Sequence, residues 1–276
     1  MDKRRIVQII AAVVTNVHFK GFFEGKIYRG KLKNICIPGL NCYSCPGALG
    51  SCPIGSMQAV VGTLKYDFSL YITGFMVLMG IIFGRFICGW LCPFGLFQDL
   101  LYKIPLKKLK VCKKVNNVLK YFKYVILLVF VVLLPMFLVN EFGTSKPYFC
   151  QYICPAGTLE GGIPLVLLNE PLRETIGLLF TWKIFILVAV ALASIFIYRP
   201  FCRYICPLGA FYSLFNRISI YRYKVDENKC TSCNNCMEKC KMNITVYKNP
   251  NSAECIRCGD CIKACPTKAI NKVFKL

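Results

Sequence analysis

Long apolar stretches alternate with basic segments along most of this chain. Four stretches carry few charges, at residues 6–23, 68–86, 121–139 and 176–198. Each is close to the roughly 20 residues that a helix needs to cross a hydrocarbon core about 30 Å thick. The hydrophobic pattern therefore predicts an α-helical membrane protein with four transmembrane helices.

The first stretch gives the weakest signal of the four. It contains Gln8, Asn16, His18 and Lys20, so an amphipathic helix lying on the membrane surface remains an alternative. No small-residue cleavage site follows it, and we do not expect a removable signal peptide. Proline and lysine within the third and fourth stretches are compatible with a kink and a snorkelling side chain.

The final segment, residues 223–276, has a different pattern. It is polar and rich in cysteine, and it contains two C-x2-C-x2-C-x3-C runs in tandem. Such runs are the ligand set of a bacterial ferredoxin that holds two 4Fe-4S clusters. We expect a transmembrane domain over residues 1–222 and an α+β two-cluster ferredoxin module over residues 223–276.

In a tandem of this kind each run gives three thiolates to one cluster and its fourth thiolate to the other. The first predicted ligand set is Cys230, Cys233, Cys236 and Cys265, and the second is Cys255, Cys258, Cys261 and Cys240. Structural zinc is the alternative. Zinc ligands usually come as separated pairs rather than as three thiolates within seven residues, so the spacing favours clusters.

The transmembrane domain contains an internal repeat, at about residues 36–104 and 147–218. Cys88 and Cys92 in C-G-W-L-C-P-F-G match Cys202 and Cys206 in C-R-Y-I-C-P-L-G. Upstream, Cys42 and Cys45 similarly match Cys150 and Cys154. Equal order and nearly equal spacing indicate that a two-helix unit with cysteines at both ends has been duplicated.

Basic residues predict the orientation. The loop between the second and third stretches is rich in lysine, and arginines follow the fourth stretch, whereas the segment between the third and fourth carries glutamates. Short basic loops stay in the cytoplasm, so we expect a multi-pass protein of the cell membrane with both termini cytoplasmic. Five basic residues oppose this assignment if the first stretch crosses: Lys20, Lys26, Arg29, Lys31 and Lys33.

This topology predicts two further 4Fe-4S clusters, each shared between the repeats and separated by a membrane span. The inner set is Cys88, Cys92, Cys202 and Cys206, and the outer set is Cys42, Cys45, Cys150 and Cys154. Cys52 is a rival outer ligand. Disulfides for the outer cysteines and inert buried thiols for the inner ones are the alternatives. Cys36 and Cys112 remain unassigned.

The repeated C-P-x-G pattern also has a structural interpretation. Proline lacks an amide hydrogen and fits the first turn of a helix, so each motif can begin a short helix directly after its cysteine. The free amides of that first turn would then point toward the sulfur atoms and favour an anionic cluster.

The composition of the chain excludes several classes of function and cofactor. The chain has 276 residues, 56% of them hydrophobic, and a formal net charge of +22. Because the basic residues flank apolar stretches, membrane topology and anionic lipid explain the charge better than nucleic acid does. His18 is the only histidine, which rules out a bis-histidine haem, and the chain shows no nucleotide-binding motif and no acid-base pair.

The paired cysteine motifs, followed by the two-cluster ferredoxin run, resemble the membrane polyferredoxins. This family is typified by the H-subunit of periplasmic nitrate reductase and by the C-terminal half of the nitrous-oxide reductase regulator. The resemblance covers essentially the whole chain and implies four helices with both termini inside. It also implies electron transfer between quinol or a cytoplasmic donor and an extracytoplasmic redox partner. The chain lacks the regulator's flavin domain, so we expect that partner to be another protein.

Our leading hypothesis is therefore an electron-transfer protein or oxidoreductase subunit rather than a stand-alone enzyme. The donor would be a ferredoxin-like or flavodoxin-like carrier, or quinol, and no nucleic-acid partner is expected. A quinol or quinone oxidoreductase subunit is one alternative, although the sequence shows no intramembrane carboxylate apart from Asp67 and Asp99 near span ends. An accessory factor for maturation of a metalloenzyme is another. The sequence does not encode the direction of electron flow.

Overall fold

The computed structural model of this chain describes residues 3–62, 70–109, 111–140 and 145–274. Its α-helices, in chain order, are α1 (Lys3–Thr15), α2 (Lys20–Glu24), α3 (Pro53–Gly62), α4 (Leu70–Phe83), α5 (Phe86–Trp90), α6 (Pro93–Leu101), α7 (Lys113–Ile126), α8 (Leu134–Phe137), α9 (Tyr148–Tyr152), α10 (Pro155–Gly157), α11 (Ile163–Leu168), α12 (Glu170–Glu174), α13 (Leu178–Phe196), α14 (Pro200–Tyr204), α15 (Pro207–Phe215), α16 (Asn235–Glu238) and α17 (Asp260–Ala264). The strands are β1 (Tyr221–Val225) and β2 (Ile270–Phe274).

Among the described residues, two helices are long and apolar enough to cross a membrane. They are Lys114–Phe137, formed by α7, a π-helical turn and α8, and Leu178–Phe196, which is α13. Only 22% and 17% of their most apolar stretches are buried, so neither is the core helix of a soluble protein. These two helices match the third and fourth predicted spans.

The third predicted span does contain a local irregularity near its proline. Leu127–Leu133 forms a π-helical turn immediately before Pro135. Proline has no amide hydrogen, and its ring crowds the carbonyl four residues earlier, so a widened turn relieves the clash while the helix continues. The lysine expected to snorkel from the fourth span, Lys183, donates to the carbonyl oxygen of Cys150 at 3.3 Å.

The other two apolar stretches form shorter helices than predicted. Helix α4 has 14 residues and, at 1.5 Å per residue, extends about 21 Å, less than the hydrocarbon core. Phe68 and Ser69, at the start of that predicted span, lie outside the described residues. In the first stretch, the helix breaks after Thr15 and resumes at Lys20. Within the part of the chain that the structure describes, two apolar helices of spanning length are therefore established.

Helix α1 is amphipathic, with its polar face buried and its apolar face exposed. Its buried residues are Arg4 and Gln8, whereas Ile10 and Val14 are 56% and 58% exposed. Arg4 donates to the hydroxyl oxygen of Tyr198 at 3.1 Å. A polar face turned inward and an apolar face turned outward is the reverse of a helix on a soluble protein, and it favours contact of this surface with lipid.

The two sequence repeats interlock through their helices. The short helix α6 of the first repeat packs on α13 of the second, and α15 of the second packs on α4 of the first. Their interface forms one hydrophobic cluster that contains Ile54, Phe94, Phe201 and Leu208. Each repeat thus completes the core of the other.

A second hydrophobic cluster centres on Tyr223, Met242 and Ile256 of the C-terminal segment, and it also includes Tyr198 from the preceding part of the chain. Here β1 and β2 pair antiparallel, with Val225 opposite Ile270. The predicted domain boundary near residue 222 stays a prediction.

The C-terminal segment is fastened to the inner ends of the helices by close contacts. The indole of Trp90 donates to the carbonyl oxygen of Arg257 at 2.9 Å, and Arg257 donates to the carbonyl oxygen of Phe83 at 2.7 Å. Between these bonds, Gly89 lies directly against the carbonyl oxygen of Ile256, where a Cβ atom would overlap it. Glycine is therefore needed at this contact.

We expect Gly89→Ala to weaken the attachment of the C-terminal segment. The added methyl group would force the two backbones apart, at a cost of about 1–3 kcal/mol. The matched control is Gly74→Ala in α4, where an added Cβ meets no atom within 4 Å. Thermal unfolding of the iron-loaded proteins in detergent should give a lower midpoint for Gly89→Ala and not for Gly74→Ala. Equal midpoints would show that the contact is not tight.

Candidate metal centres

The first predicted ligand set of the ferredoxin module surrounds a small cavity. Its lining includes Cys230, Cys233, Cys236 and Cys265, together with apolar side chains such as Val225 and Ile270. Three of these cysteines come from the first run and one from the second. This is the crossed set that the spacing predicts.

The two cysteine runs have the same backbone conformation at equivalent positions. Ser232 and Asn234 have φ values of 52° and 62°, and Arg257 and Gly259, at the same places in the second run, have 53° and 84°. Left-handed residues between helical ones turn successive amide hydrogens toward one side of a loop, which creates a concave site for an anion. Both runs can therefore wrap a negatively charged cluster in the same way.

The second set also converges. Burial, and next the neighbouring thiols of Cys255 and Cys258, raise the pKa of Cys261, and Cys240 contributes in the same direction. Like charges disfavour one another when they are buried together. These thiols are therefore close neighbours in a buried site, where binding of iron to their sulfur atoms would release the protons.

The cysteines of the inner set lie in or next to the short helices α5, α6, α14 and α15. Cys88, Cys92, Cys202 and Cys206 are each 5% exposed or less. Burial, followed by the thiols of Cys202 and Cys88, raises the pKa of Cys206. Four buried thiols from the two repeats thus share one site.

All four C-P-x-G motifs begin a helix at their proline. Helices α3, α6, α10 and α15 start at Pro53, Pro93, Pro155 and Pro207. The sulfur of Cys206 accepts a hydrogen bond from the amide of Gly209 at 3.4 Å. This confirms the predicted geometry, in which first-turn amides approach the cysteine sulfur.

Two buried arginines join the repeats at the inner set, and their bonds are reciprocal. Arg85 of the first repeat donates to the carbonyl oxygen of Cys202 at 3.0 Å. Arg199 of the second donates to the carbonyl oxygen of Cys88 at 2.6 Å. Each arginine therefore positions a predicted ligand of the opposite repeat, and both place positive charge beside the thiols.

Each arginine has a carboxylate partner. Arg199 makes a bidentate pair with Asp99, at 2.7 and 2.5 Å. Burial alone would raise the pKa of Asp99, but Arg199 and then Arg4 hold it below its usual value. Arg85 pairs at 2.7 Å with Glu254, which also accepts from Lys123 at 2.5 Å. Glu254 directly precedes Cys255, so this pair connects the ferredoxin module to the inner set.

The outer set surrounds a cavity of about 510 Å³. Four cysteines line it: Cys42, Cys52, Cys150 and Cys154. A Cβ atom on Gly55 would come within 3.7 Å of the Cys150 sulfur, and one on Gly157 within 3.7 Å of the Cys42 sulfur. The glycine of each outer C-P-x-G motif thus leaves space beside a cysteine of the other repeat.

Cys45, which the repeat alignment favours as a ligand, is not among the cysteines that line this cavity. Its sulfur lies 3.5 Å from the side-chain oxygen of Asn16. Cys52 begins a C-P-x-G motif and Cys45 does not, and this motif is the sequence signal that distinguishes them. Cys36 is buried outside the cavity lining, and Cys112 is exposed at the start of α7.

The residues around the outer cavity fit a 4Fe-4S cluster. No three His, Cys, Asp or Glu side chains within the described ranges are arranged to hold a single metal ion. A cubane binds each thiolate through a different iron, so its ligands stand farther apart. Asn41 lines the same cavity, is fully buried, and leaves both side-chain polar atoms without a hydrogen-bond partner. Such an orphaned amide indicates a polar group in the cavity.

The inner and outer sets are closer together than the sequence predicts. The carbonyl oxygen of Leu40 lies 4.0 Å from the Cys92 sulfur, and Leu40 precedes Cys42 by only two residues. Burial, with the thiols of Cys88 and Cys52 next in effect, raises the pKa of Tyr212. The expected separation by a full membrane span is therefore wrong, because the loop before Cys42 folds back into the core.

Comparison with known proteins agrees with this arrangement. A family described as a 4Fe-4S binding domain matches residues 68–112, 122–163 and 179–224, and another with the same description matches residues 249–271. The chain is 34% identical to the uncharacterized protein MJ0750 of Methanocaldococcus jannaschii, over 71% of this chain and 75% of that protein. No solved structure matches it.

Two other relatives have more informative names. The putative electron transport protein YccM of Escherichia coli is 25% identical, over 69% of this chain and 51% of its own length. The regulatory protein NosR of Stutzerimonas stutzeri is 28% identical, over 78% of this chain and 29% of its own length. The resemblance to membrane polyferredoxins is thereby confirmed.

The geometry of the outer cavity predicts different effects for two neighbouring cysteines. Cys52→Ser should remove one cluster, lowering the iron content from about sixteen to about twelve per chain, with acid-labile sulfide falling in parallel. Cys45→Ser is the matched control and should leave both values unchanged. Iron and sulfide analysis of anaerobically purified protein measures this, and the opposite pattern would make Cys45 the ligand.

Proposed function

The chain belongs to the family of membrane-associated 4Fe-4S electron-transport proteins, and on that premise we propose that it conducts electrons across the cell membrane through four clusters. Electrons enter or leave at the ferredoxin module on the cytoplasmic side. They pass the inner and outer sets and reach a redox partner on the other side. When bound, a 4Fe-4S cluster takes up and releases single electrons at a potential set by its surroundings.

The observation that carries this proposal is that the cysteine sets are joined in series by direct backbone contacts. Cys255 precedes Ile256, whose carbonyl oxygen touches Gly89, and Gly89 follows Cys88. The next junction has the same form, since Leu40 approaches Cys92 and lies two residues before Cys42. Short contacts favour electron transfer because tunnelling weakens steeply with distance.

Several groups of the chain would support such a path. Arg85 and Arg199 would offset the negative charge of the inner set, which is buried away from water. The outer set takes Cys42, Cys52, Cys150 and Cys154 as its ligands in our proposal. Its cavity is partly open, which gives a partner access to the end of the path.

Four transmembrane crossings, with both termini in the cytoplasm, remain part of the proposal. Helices α1 and α4 would complete the crossings with the segments that adjoin them. The outward apolar face of α1 supports this placement. Domain boundaries at about residue 222, and repeats over residues 36–104 and 147–218, complete the proposed organisation.

The quinol alternative needs an intramembrane carboxylate that can carry protons. Asp99 is held by Arg199 and Arg4, which makes it a structural ion pair rather than a free proton carrier. Asp67 lies outside the described residues. Because these ion pairs hold Asp99, we favour a protein donor, such as a ferredoxin-like or flavodoxin-like carrier, over quinol.

Sealed liposomes that expose the ferredoxin module outward test the proposal. A reduced low-potential carrier added outside should reduce an acceptor trapped inside, without added quinone. Cys52→Ser and Cys154→Ser should slow this reaction at least tenfold while the ferredoxin clusters still become reduced. Cys112→Ser is the matched control, because this cysteine is exposed and outside every set. A reaction that requires added quinone would instead support the quinone oxidoreductase.

The basic loop provides a separate test of the carrier. Lys103, Lys107 and Lys114 are exposed near the inner end of the molecule. If they attract an acidic carrier, the rate of the same reaction should fall as the Debye length shrinks from about 30 Å at 0.01 M to about 10 Å at 0.1 M salt. Lys107→Gln should reduce both the rate at low salt and its salt dependence. A rate independent of salt would leave these lysines with a role in membrane topology alone.

A further inference from the structure

A buried glutamine bridges the two repeats at the inner set. Gln98 is fully buried in α6. Its side-chain nitrogen donates to the sulfur of Cys202 at 2.9 Å, and its side-chain oxygen accepts from the amide of Phe201 at 3.2 Å. Both partners belong to the opposite repeat.

A second glutamine makes the same two bonds at the outer set. Gln58, in α3, is 1% exposed. Its nitrogen donates to the sulfur of Cys150 at 3.2 Å, and its oxygen accepts from the amide of Phe149 at 2.9 Å. These partners again lie in the opposite repeat. Two independent sites thus use one arrangement.

The orientation of each amide is fixed by its surroundings. Side-chain oxygen and nitrogen atoms of glutamine are easily interchanged when a structure is interpreted. Here the backbone amide of Phe149 or Phe201 can only donate, so the glutamine oxygen must face it. The NH2 group is then directed toward the cysteine sulfur in both cases.

The positions of the two glutamines follow from the sequence. Each is the sixth residue after the cysteine of a C-P-x-G motif, namely Cys52 for Gln58 and Cys92 for Gln98. A helix that begins at the proline therefore brings this residue to the cysteine of the facing repeat. The same helices supply both a predicted ligand and the group that bonds a second one.

We propose that Gln58 and Gln98 set the reduction potentials of the outer and inner clusters, each through one hydrogen bond to a ligand sulfur. This inference rests on the proposed function, because it requires that both clusters be present. A hydrogen bond to a thiolate withdraws electron density from it and stabilises the more negative, reduced cluster. Each glutamine therefore raises the potential of its own cluster and leaves the other clusters unchanged.

Burial strengthens this effect. Water does not compete for either sulfur, and a hydrogen bond to a charged acceptor is stronger than one between neutral groups. The inner set has the additional positive charges of Arg85 and Arg199 beside it, whereas those arginines bond no cysteine of the outer set. The two hydrogen bonds can accordingly be varied without changing those charges.

Two substitutions of Gln98 distinguish an effect on the reduction potential of the inner cluster from a role in joining the two repeats. At a pH where its carboxyl group is ionised, Gln98→Glu keeps an oxygen to accept from Phe201 but loses the donor to sulfur and adds a negative charge, whereas Gln98→Met loses both bonds without adding charge. The experiment is a redox titration of the full iron-loaded chain, followed by electron paramagnetic resonance. We expect both variants to disfavour reduction of the inner cluster at least tenfold, which is about 59 mV for a one-electron couple. Gln58→Glu and Gln58→Met should shift only the outer cluster.

Gln151→Met is the matched control. This glutamine adjoins Cys150 and is half-buried, but within the described residues its side chain does not donate to a cysteine sulfur. It should move no potential, and iron content should stay at about sixteen in every variant.

Three outcomes would overturn the inference. If all four clusters are present and the glutamine variants leave their potentials unmoved, the proposed function stands and the glutamines set no potential. If Gln98→Met loses iron while Gln98→Glu keeps it at an unchanged potential, the glutamines only join the repeats. If the unmodified protein contains about eight irons, the proposed function fails and this inference fails with it.

Discussion

In each proposed membrane-domain site the cysteines come from two different repeats, and the rest of the architecture depends on how those repeats meet. A single repeat supplies two thiols to each set, so the halves must meet in register at both levels. The reciprocal bonds of Arg85 and Arg199, and the packing of α6 and α15 on helices of the opposite repeat, fix that register. Because these polar groups are buried, any offset between the halves would leave charges unpaired, which is costly.

The sixth residue after each C-P-x-G cysteine shows how the duplicated halves have diverged around this constraint. Gln58 and Gln98 occupy it in the first repeat, and Glu160 and Tyr212 occupy it in the second. Glu160 accepts from the backbone amide of Cys42 at 2.6 Å, and Tyr212 donates to the carbonyl oxygen of Pro38 at 3.0 Å. All four side chains therefore hold the opposing loop, but only the glutamines reach a sulfur. The two repeats are therefore similar in geometry, but the electrostatic surroundings of their cysteines differ.

Residue spacing is sufficient to predict features that depend on a few neighbouring residues. The crossed ferredoxin sets and the helices that begin at proline follow from motifs of a few residues, and α13 follows from an uninterrupted apolar run. Sequence patterns are less informative where contacts between distant segments determine the structure. Spacing alone could not choose between Cys45 and Cys52 as an outer ligand, because the choice depends on which of them faces the cavity. Hydropathy also could not show that the loop before Cys42 folds inward, because tertiary contacts determine its path. The pairing of Arg85 with Glu254 joins residues far apart in sequence, and no local pattern indicates it.

The contact between Gly89 and Ile256, reinforced by Glu254, affects how electron transfer to the membrane domain depends on concentration. Soluble ferredoxins deliver electrons by diffusion, and each delivery requires a collision and a release. Here the module is part of the same chain and packs against the membrane domain, so a step between the two is independent of protein concentration. Only the exchange with an outside carrier remains a bimolecular encounter. In the proposed function, the rate of electron transfer would therefore depend on the exchange with external partners at the two ends of the path, and not on the steps within the chain.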